Sequence, residues 1–454
     1  MLDVELLDPT DENALEAFSQ NYLFRSDRVL ETIYALYSPQ SNRVIAINGD
    51  WGSGKTFFTK EIEAVLKPKH EDQLKKVNDF IEPGRERYHH VVYVDQNGKE
   101  NTDFPTNLIF PFYYDAWLHD YDGDPMLSLV LALTEYFTVE PVVKGKTVDQ
   151  IRKLTAPIVK HLTKGSVDLG EFDVECKESS LSSGLKIPRS AKSLKQEIEK
   201  YIEEIRISTN RPQLVILIDE LDRCRPDFAV DLLEGIKHYF NCPGISFVFS
   251  VNLTQLEHSI KHRYGSGFDA RRYLKRFFDL ELKLPQISSK SFNEYYDYPW
   301  NNLNLRILNA LCDQYSLSLR DRIQLHNKLG LIDQFHISSS VDCWVQDFVD
   351  TVIIPVLLVL DFVEEEKKQE FLQGQNPDPL TCLVKQECAY DLANFMSDSS
   401  QRLNVNNLSR DLESIYNYLF VDGYSRKEDL TVGRLHFQSN QMPSVIEKFN
   451  FVLV

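Results

Sequence analysis

Four apolar runs read as buried strands, continuous in hydrophobicity rather than alternating: "RVIAIN" at 43–48, "LVILID" at 214–219, "ISFVFSVN" at 245–252 and "FDLELKLP" at 278–285. A strand covered on both faces meets water on neither, so its polar positions vanish. A fifth run, "NLIFPFYY" at 107–114, reads as a strand interrupted by Pro111. Proline donates no ladder hydrogen bond, which places this strand at an edge or puts the proline at a strand end. Helical patterns such as "TFFTKEIEAVL" and "DFAVDLLEGIKHYF" separate the runs. Strands alternating with helices predict an α/β fold with a central, mostly parallel β-sheet flanked by helices.

The spacing is uneven. The stretch between Lys55 and Asp219 is far longer than a minimal crossover path, which marks insertions at about 67–106 and 140–205. In the first, "HHVVYVDQNGKENTDF" predicts a strand leading into an Asn97-Gly98 hairpin turn. In the second, "AKSLKQEIEKYIEEIR" places Leu194, Ile198, Ile202 and Ile205 on one helical face. After Pro285 the strand signals stop, and "NLRILNALCDQYSL", "LRDRIQLHNKLGLIDQF" and "DLESIYNYLF" read as helices. The expected organisation is an acidic segment at 1–20, an α/β domain at 21–285 and an all-α region at 286–454.

Composition changes this picture little. Apolar residues make up 43% and charged residues 26%, close to an ordinary globular chain. A net charge of −18 disfavours a protein coated for non-specific nucleic-acid binding, which requires an excess of Lys and Arg. Seven cysteines, at 176, 224, 242, 312, 343, 382 and 388, form no CxxC pair. They fit reduced thiols in the cytoplasm better than a disulfide framework or a zinc site. The acidic start "MLDVELLDPTDENALEAF" has no basic n-region or long apolar h-region, so no signal peptide is expected. "MLSLVLALTEYF" and "TVIIPVLLVLDFV" fall short of the roughly 20 residues that span a bilayer. Glu135 interrupts the first, and Pro355 and Asp361 the second, so both are expected to be core helices rather than transmembrane segments.

Chemistry enters at 49–56. Gly49-Asp50-Trp51-Gly52-Ser53-Gly54-Lys55-Thr56 satisfies G-x-x-x-x-G-K-[ST], between a strand and a helix starting near Lys55, and with Phe57 these residues are the expected nucleotide-binding set. Glycines let backbone N–H groups turn inward around phosphate oxygens, and the helix adds its positive dipole end. Lys55 is expected to reach the terminal phosphates of ATP, and the Thr56 hydroxyl to ligate Mg²⁺. "LVILIDELDRC" supplies the second half of such a site. Its apolar run delivers Asp219 to a strand's carboxyl end, where it would hold the Mg²⁺, and Glu220 would polarise the attacking water. Asp222 and Arg223 either join the site or cap and salt-bridge the turn.

Two further features carry open alternatives. Asn252 ends "FVFSVN" and either senses the γ-phosphate or caps the strand end. "HSIKHRYGSGFDARRYLKRFF" concentrates Lys261, Arg263, Arg271, Arg272, Lys275 and Arg276. It offers an arginine to a phosphate, binds nucleic acid, or is a solvated helix face; Arg271 and Arg272 are the leading phosphate candidates. Arg320 in "LSLRDR" is a weaker candidate of the same kind.

Taken together, "GDWGSGKT", "FYYDAWLHDYDGDPMLSL", "LIDELDRCRP" and "RRYLKRFFDLELKLP" resemble the KAP family of P-loop NTPases over roughly residues 24 to 330. Trp51 and Ala116-Trp117 sharpen the resemblance, since phosphate chemistry does not require them. Many members carry transmembrane helices between the two nucleotide motifs, and this insertion has none. Asn252 stands where members often have Asp, and the acidic residue they place before the basic one at Lys275 is missing. The resemblance implies an ATPase related to the AAA+ and STAND switch proteins, in a family that includes bacterial phage-exclusion proteins and animal membrane-associated scaffolds. Three functions follow: a regulatory ATPase in anti-phage defence, self-associating or working with a defence partner; a nucleotide-stabilised scaffold recruiting an effector; and a nucleic-acid-stimulated motor, disfavoured by the acidic balance.

Overall fold

Alternate residues of the central strands face opposite ways, and in this protein both ways lead to helices. The computed structural model describes residues 8–37, 42–68, 71–81, 93–94, 100–101, 108–139, 145–163, 191–284, 303–332, 342–398, 404–421, 428–439 and 445. They fall in two compact units, within Leu6–Pro285 and within Gln286–Val454.

The first unit is built on five parallel strands. In chain order these are β1 (Val44–Asn48), β4 (Ile109–Asp115), β5 (Gln213–Asp219), β6 (Ile245–Val251) and β7 (Leu280–Lys283). A separate small ladder pairs β2 (Tyr93–Val94) with β3 (Glu100–Asn101) antiparallel. That pairing belongs to the expected hairpin, whose Asn97-Gly98 turn lies outside the described residues. The order across the sheet is β4-β5-β6-β1-β7, and all four pairings are parallel. β4 is an edge strand, the setting in which Pro111 costs least.

One sheet face carries Val44, Ala46, Phe110, Phe112, Leu214, Ile216, Ile218, Phe247 and Phe249. The other carries Ile45, Ile47, Ile109, Val215, Leu217 and Val248. The first packs on the helices Pro125–Val139, Gly145–Leu162, Ala191–Thr209 and Pro226–Tyr239. The second packs on Asp11–Gln20, Ser26–Leu36, Lys55–Leu66 and Glu71–Ile81. With both faces covered, the inner strands are almost continuously apolar, which is why their sequences lack alternation. β7, expected to be buried, is instead a largely exposed edge strand with the alternating sequence LELK.

Two segments are less peripheral than their composition suggests. Ala14, Leu15 and Phe18 of the acidic N-terminal helix are buried against the sheet's second face. Leu194, Ile198, Ile202 and Ile205, the apolar stripe of the second insertion, are buried on the first.

The second unit is helical around its own core, with a small hairpin of β8 (Leu430–Val432) and β9 (Leu435–Phe437) added. Its apolar run is longer than the sequence suggests, because Cys343–Val363 forms one 21-residue helix. A π-helical turn at Val349–Ile353 precedes Pro355. Proline lacks the N–H for a regular helix and its ring crowds the carbonyl four residues back, so the wider turn lets the helix continue. This helix is long and apolar enough to cross a membrane by length and composition, and it is 67% buried within the protein. Such burial is what a core helix requires.

Candidate nucleotide-binding site

Five parallel strands bring their carboxyl ends to one edge, and the motif residues collect there. β1 ends at Asn48, and the Gly49 N–H donates to the carbonyl of Val251 at the end of β6 (3.2 Å). The loop then turns through Gly52 (φ 76°) and Gly54 (φ 86°), left-handed conformations in which a side chain is strained. A Cβ at Gly49 would come within 2.7 Å of Ser53 Oγ, so this glycine is required by close approach instead. The helix Lys55–Leu66 follows with Gly54 as its N-cap and no side-chain cap, leaving its first turn as an anion seat. The Phe57 side chain is buried, so its backbone N–H in that turn is what it would offer a phosphate.

Lys55 is 9% exposed and curls back over the loop, donating from Nζ to the carbonyls of Gly49 (2.8 Å) and Asp50 (3.2 Å). Burial lowers its pKa, while the charges of Asp222, Asp219 and Glu220 resist that shift. The acids come from β5. Asp219 is level with Asp115 of β4 on one side and Ser250 of β6 on the other, and is 1% exposed. Burial raises its pKa, against hydrogen bonds from Thr56, the Glu220 N–H and Tyr113. Tyr113 Oη donates to Asp219 Oδ2 at 3.1 Å.

Glu220 has φ 60° and ψ 19°, a left-handed conformation that costs a residue with a side chain about 1–2 kcal/mol. That bend turns its carboxylate toward the phosphate loop, where Thr56 Oγ1 donates to Oε1 at 3.4 Å. Burial raises the Glu220 pKa and the neighbouring Asp219 raises it further, while Arg223 lowers it. Crowded acids at raised pKa values are what a divalent cation would relieve. Among the described residues no group of three or more His, Cys, Asp or Glu is placed to hold a metal. Asp219 and Thr56 together fit Mg²⁺, which takes few protein ligands and draws the rest from phosphate and water.

Two tethers fix the loop, and the motif names only one of them. Trp51 Nε1 donates to Asp222 Oδ2 at 2.7 Å, joining the loop to the turn after β5. Arg25, 2% exposed, donates to the Ser53 carbonyl at 3.1 Å from the opposite side. Its charge faces Glu61, which is 1% exposed on the loop's own helix. Burial pushes the Glu61 carboxyl up to about 8 and brings Arg25 down to about 10.

Residues 26–332 match the KAP family P-loop domain, about two-thirds of the chain. The chain belongs to the KAP family. It is a nucleotide-binding P-loop protein of the NTPase type. An uncharacterized protein of Methanocaldococcus jannaschii is 24% identical over 164 residues, a match covering 29% of this chain and 84% of that protein.

The remaining candidates of the KAP domain lie at different distances from this site. Asn252 is beside it and acts as a cap. Its Oδ1 caps the helix Leu253–Tyr264 by accepting from the N–H groups of Thr254 and Gln255, and its Nδ2 donates to Asp50 Oδ1 at 3.3 Å. Arg271 contacts no residue of the phosphate loop in the described structure. It is held by Glu257 (3.3 Å) and Glu281 (2.9 Å), and Glu281 also accepts from Asn48 Nδ2. Arg272 is exposed, and its side chain has no partner among the described residues. Arg263 pairs with Asp227 and Asp231. Arg320 is exposed at the start of the helix Leu319–Ile332, in the second unit.

Arg25, Glu61 and Tyr113 escape sequence reasoning. None lies in a motif; Arg25 and Tyr113 are brought to the site by the packing of other elements, and Glu61 lies further along the loop's own helix. The one available signal was for Tyr113, since a parallel strand ending "FYYD" must finish at the same edge as "LVILID".

Proposed function

We propose that this KAP protein binds ATP with Mg²⁺ and hydrolyses it, and that the nucleotide state switches its shape or assembly. The observation that carries this reading is the placement of the Glu220 carboxylate beside Thr56, within the same buried cluster as Lys55 and Asp219. Lys55 would exchange its two loop carbonyls for phosphate oxygens. The loop amides would orient the triphosphate, and Asp219 with Thr56 would hold the ion. Bound there, Mg²⁺ would supply positive charge where the phosphate oxygens gain negative charge. Glu220 would accept a proton from a water as its oxygen bonds to the γ-phosphorus. The bond from that phosphorus to the bridging oxygen breaks, giving ADP and inorganic phosphate. General-base assistance of this kind contributes about 10²–10⁴ in rate.

The switch role is supported by an arginine-rich segment next to the sheet and by resemblance to other switch ATPases. A role in anti-phage defence rests on family analogy alone. A cytoplasmic setting is supported by the free state of all six described cysteines. The test is ATP turnover by Lys55→Ala and Glu220→Gln with ATP binding measured alongside. Loss of turnover in both, with binding kept in Glu220→Gln, supports the reading; parent-like turnover in either overturns it. The scaffold alternative separates on the same variant, since a scaffold keeps its biological effect when Glu220→Gln removes hydrolysis.

A further inference from the structure

A general base needs a lone pair directed at its water, and in this structure both oxygens of Glu220 are engaged by neighbours that fix the carboxylate's orientation. Oε1 accepts from Thr56, and Oε2 is ion-paired with Nε of Arg223. The two engagements differ in kind. The Thr56 hydroxyl is the group expected to turn to the bound ion, which releases Oε1. The partner of Oε2 belongs instead to the same tight turn as Glu220. Arg223 sits three residues on, at the end of the tight turn Leu221–Arg223, and its N–H donates to the Glu220 carbonyl at 3.1 Å. Its guanidinium is braced on the outer side as well, lying 5.5 Å from the centre of the Trp117 ring. Trp117 is 52% exposed, directly after β4. A chain of contacts therefore runs from solvent, through Trp117 and Arg223, to the carboxylate.

We propose that Arg223 is a positioning residue that latches Glu220 in a resting orientation, with Trp117 as its brace, so that leaving this pair limits turnover. The inference rests on Glu220 acting as the base. The pair is well placed for a reversible restraint. The two side chains are 26% and 18% exposed, deep enough to hold and shallow enough for water to compete. A fully buried pair would be too costly to open, and a fully exposed one would restrain nothing.

The test uses the full-length protein with ATP and Mg²⁺ in steady-state assays. Arg223→Met removes the latch and keeps the apolar length of the side chain. The expected result is a rise in kcat of about twofold to fivefold, the span of a partly exposed ion pair, with KM for ATP unchanged. Arg223→Lys, which keeps a cation within reach, stays near the parent. Trp117→Leu raises kcat by a smaller factor, and this holds the test open should Arg223→Met fail to fold. In a Glu220→Gln background neither change alters kcat, because there is no carboxylate to release. A fall in kcat in Arg223→Met would make this arginine an aid to the phosphate chemistry and overturn the latch, and so would an unchanged kcat. Parent-like turnover in Glu220→Gln itself is a separate failure, that of the base.

Discussion

The phosphate loop and the basic segment 261–276 both concentrate positive charge in the first unit, yet the fold treats them in opposite ways. Lys55 is buried and satisfied only by loop carbonyls, weak partners that a phosphate can displace. Arg263 and Arg271 are each claimed by two carboxylates of their own chain. Among the described residues the loop's cation has carboxylates nearby but no direct ion pair, and the basic segment pairs Arg263 and Arg271 directly. Lys261, Arg272, Lys275 and Arg276 have no ion pair among the described residues, and Arg272, Lys275 and Arg276 are exposed rather than buried. The difference teaches that charge in a sequence gains meaning only once its partners are known.

The comparison breaks first if Lys55 is dispensable. Lys55→Ala removes the cation inside the loop, and turnover should fall by about 10²-fold or more, as losing a key electrostatic contact does. Titration with ATP and a steady-state assay check this, and parent-like values would erase the distinction between the two regions.

Arg25 sharpens the contrast from beneath the loop. Arg25→Met removes the donor to the Ser53 carbonyl and the cation facing Glu61, and should cost about 1–3 kcal/mol of stability. A denaturant series measures it. The same pair predicts a pH effect. The folded-state value of Glu61 is raised by burial from an ordinary 4.5 to about 8. Stability from this group is therefore fully present below about 4.5 and is lost as pH rises through about 8. Thermal unfolding between pH 5 and pH 9 should show the decline in the parent, and Glu61→Gln should flatten it.

Arg272 and Arg271 give the smaller effects and separate from each other. If Arg272 completes a neighbour's site, turnover per molecule rises with protein concentration, and Arg272→Ala lowers it by about tenfold while sparing ATP binding. Mixing this variant with Lys55→Ala should then restore part of the activity. Activity that stays flat with concentration, and no rescue on mixing, removes the shared site. Arg271→Ala loses only partly exposed pairs and should cost less than about 1 kcal/mol. A larger loss of turnover there would show that its two carboxylates do not confine it.

What the sequence made legible follows the same division. The parallel sheet could be read because burial on both faces makes β5 and β6 almost continuously apolar. The loop could be read because only glycine tolerates the turns at 52 and 54 and the close approach at 49. The tethers could not, since Arg25 looks like any arginine in "YLFRSDR" until the helix Ser26–Leu36 is packed beneath the loop. The partners of Arg271 were equally hidden, since Glu257 and Glu281 meet it only after the sheet has formed. The length of the Cys343–Val363 helix was missed because Pro355 reads locally as a break, while a π turn carries the helix through it.

The central claim is that Glu220, held by a strained backbone at the end of β5, performs the chemistry on a nucleotide seated in the loop. Single-turnover hydrolysis of ATP by Glu220→Gln, with protein in excess and binding measured on the same sample, tests it most directly. The account predicts ATP affinity close to the parent's and a hydrolysis rate at least about tenfold lower. A rate equal to the parent's at full occupancy would contradict it and place the base elsewhere.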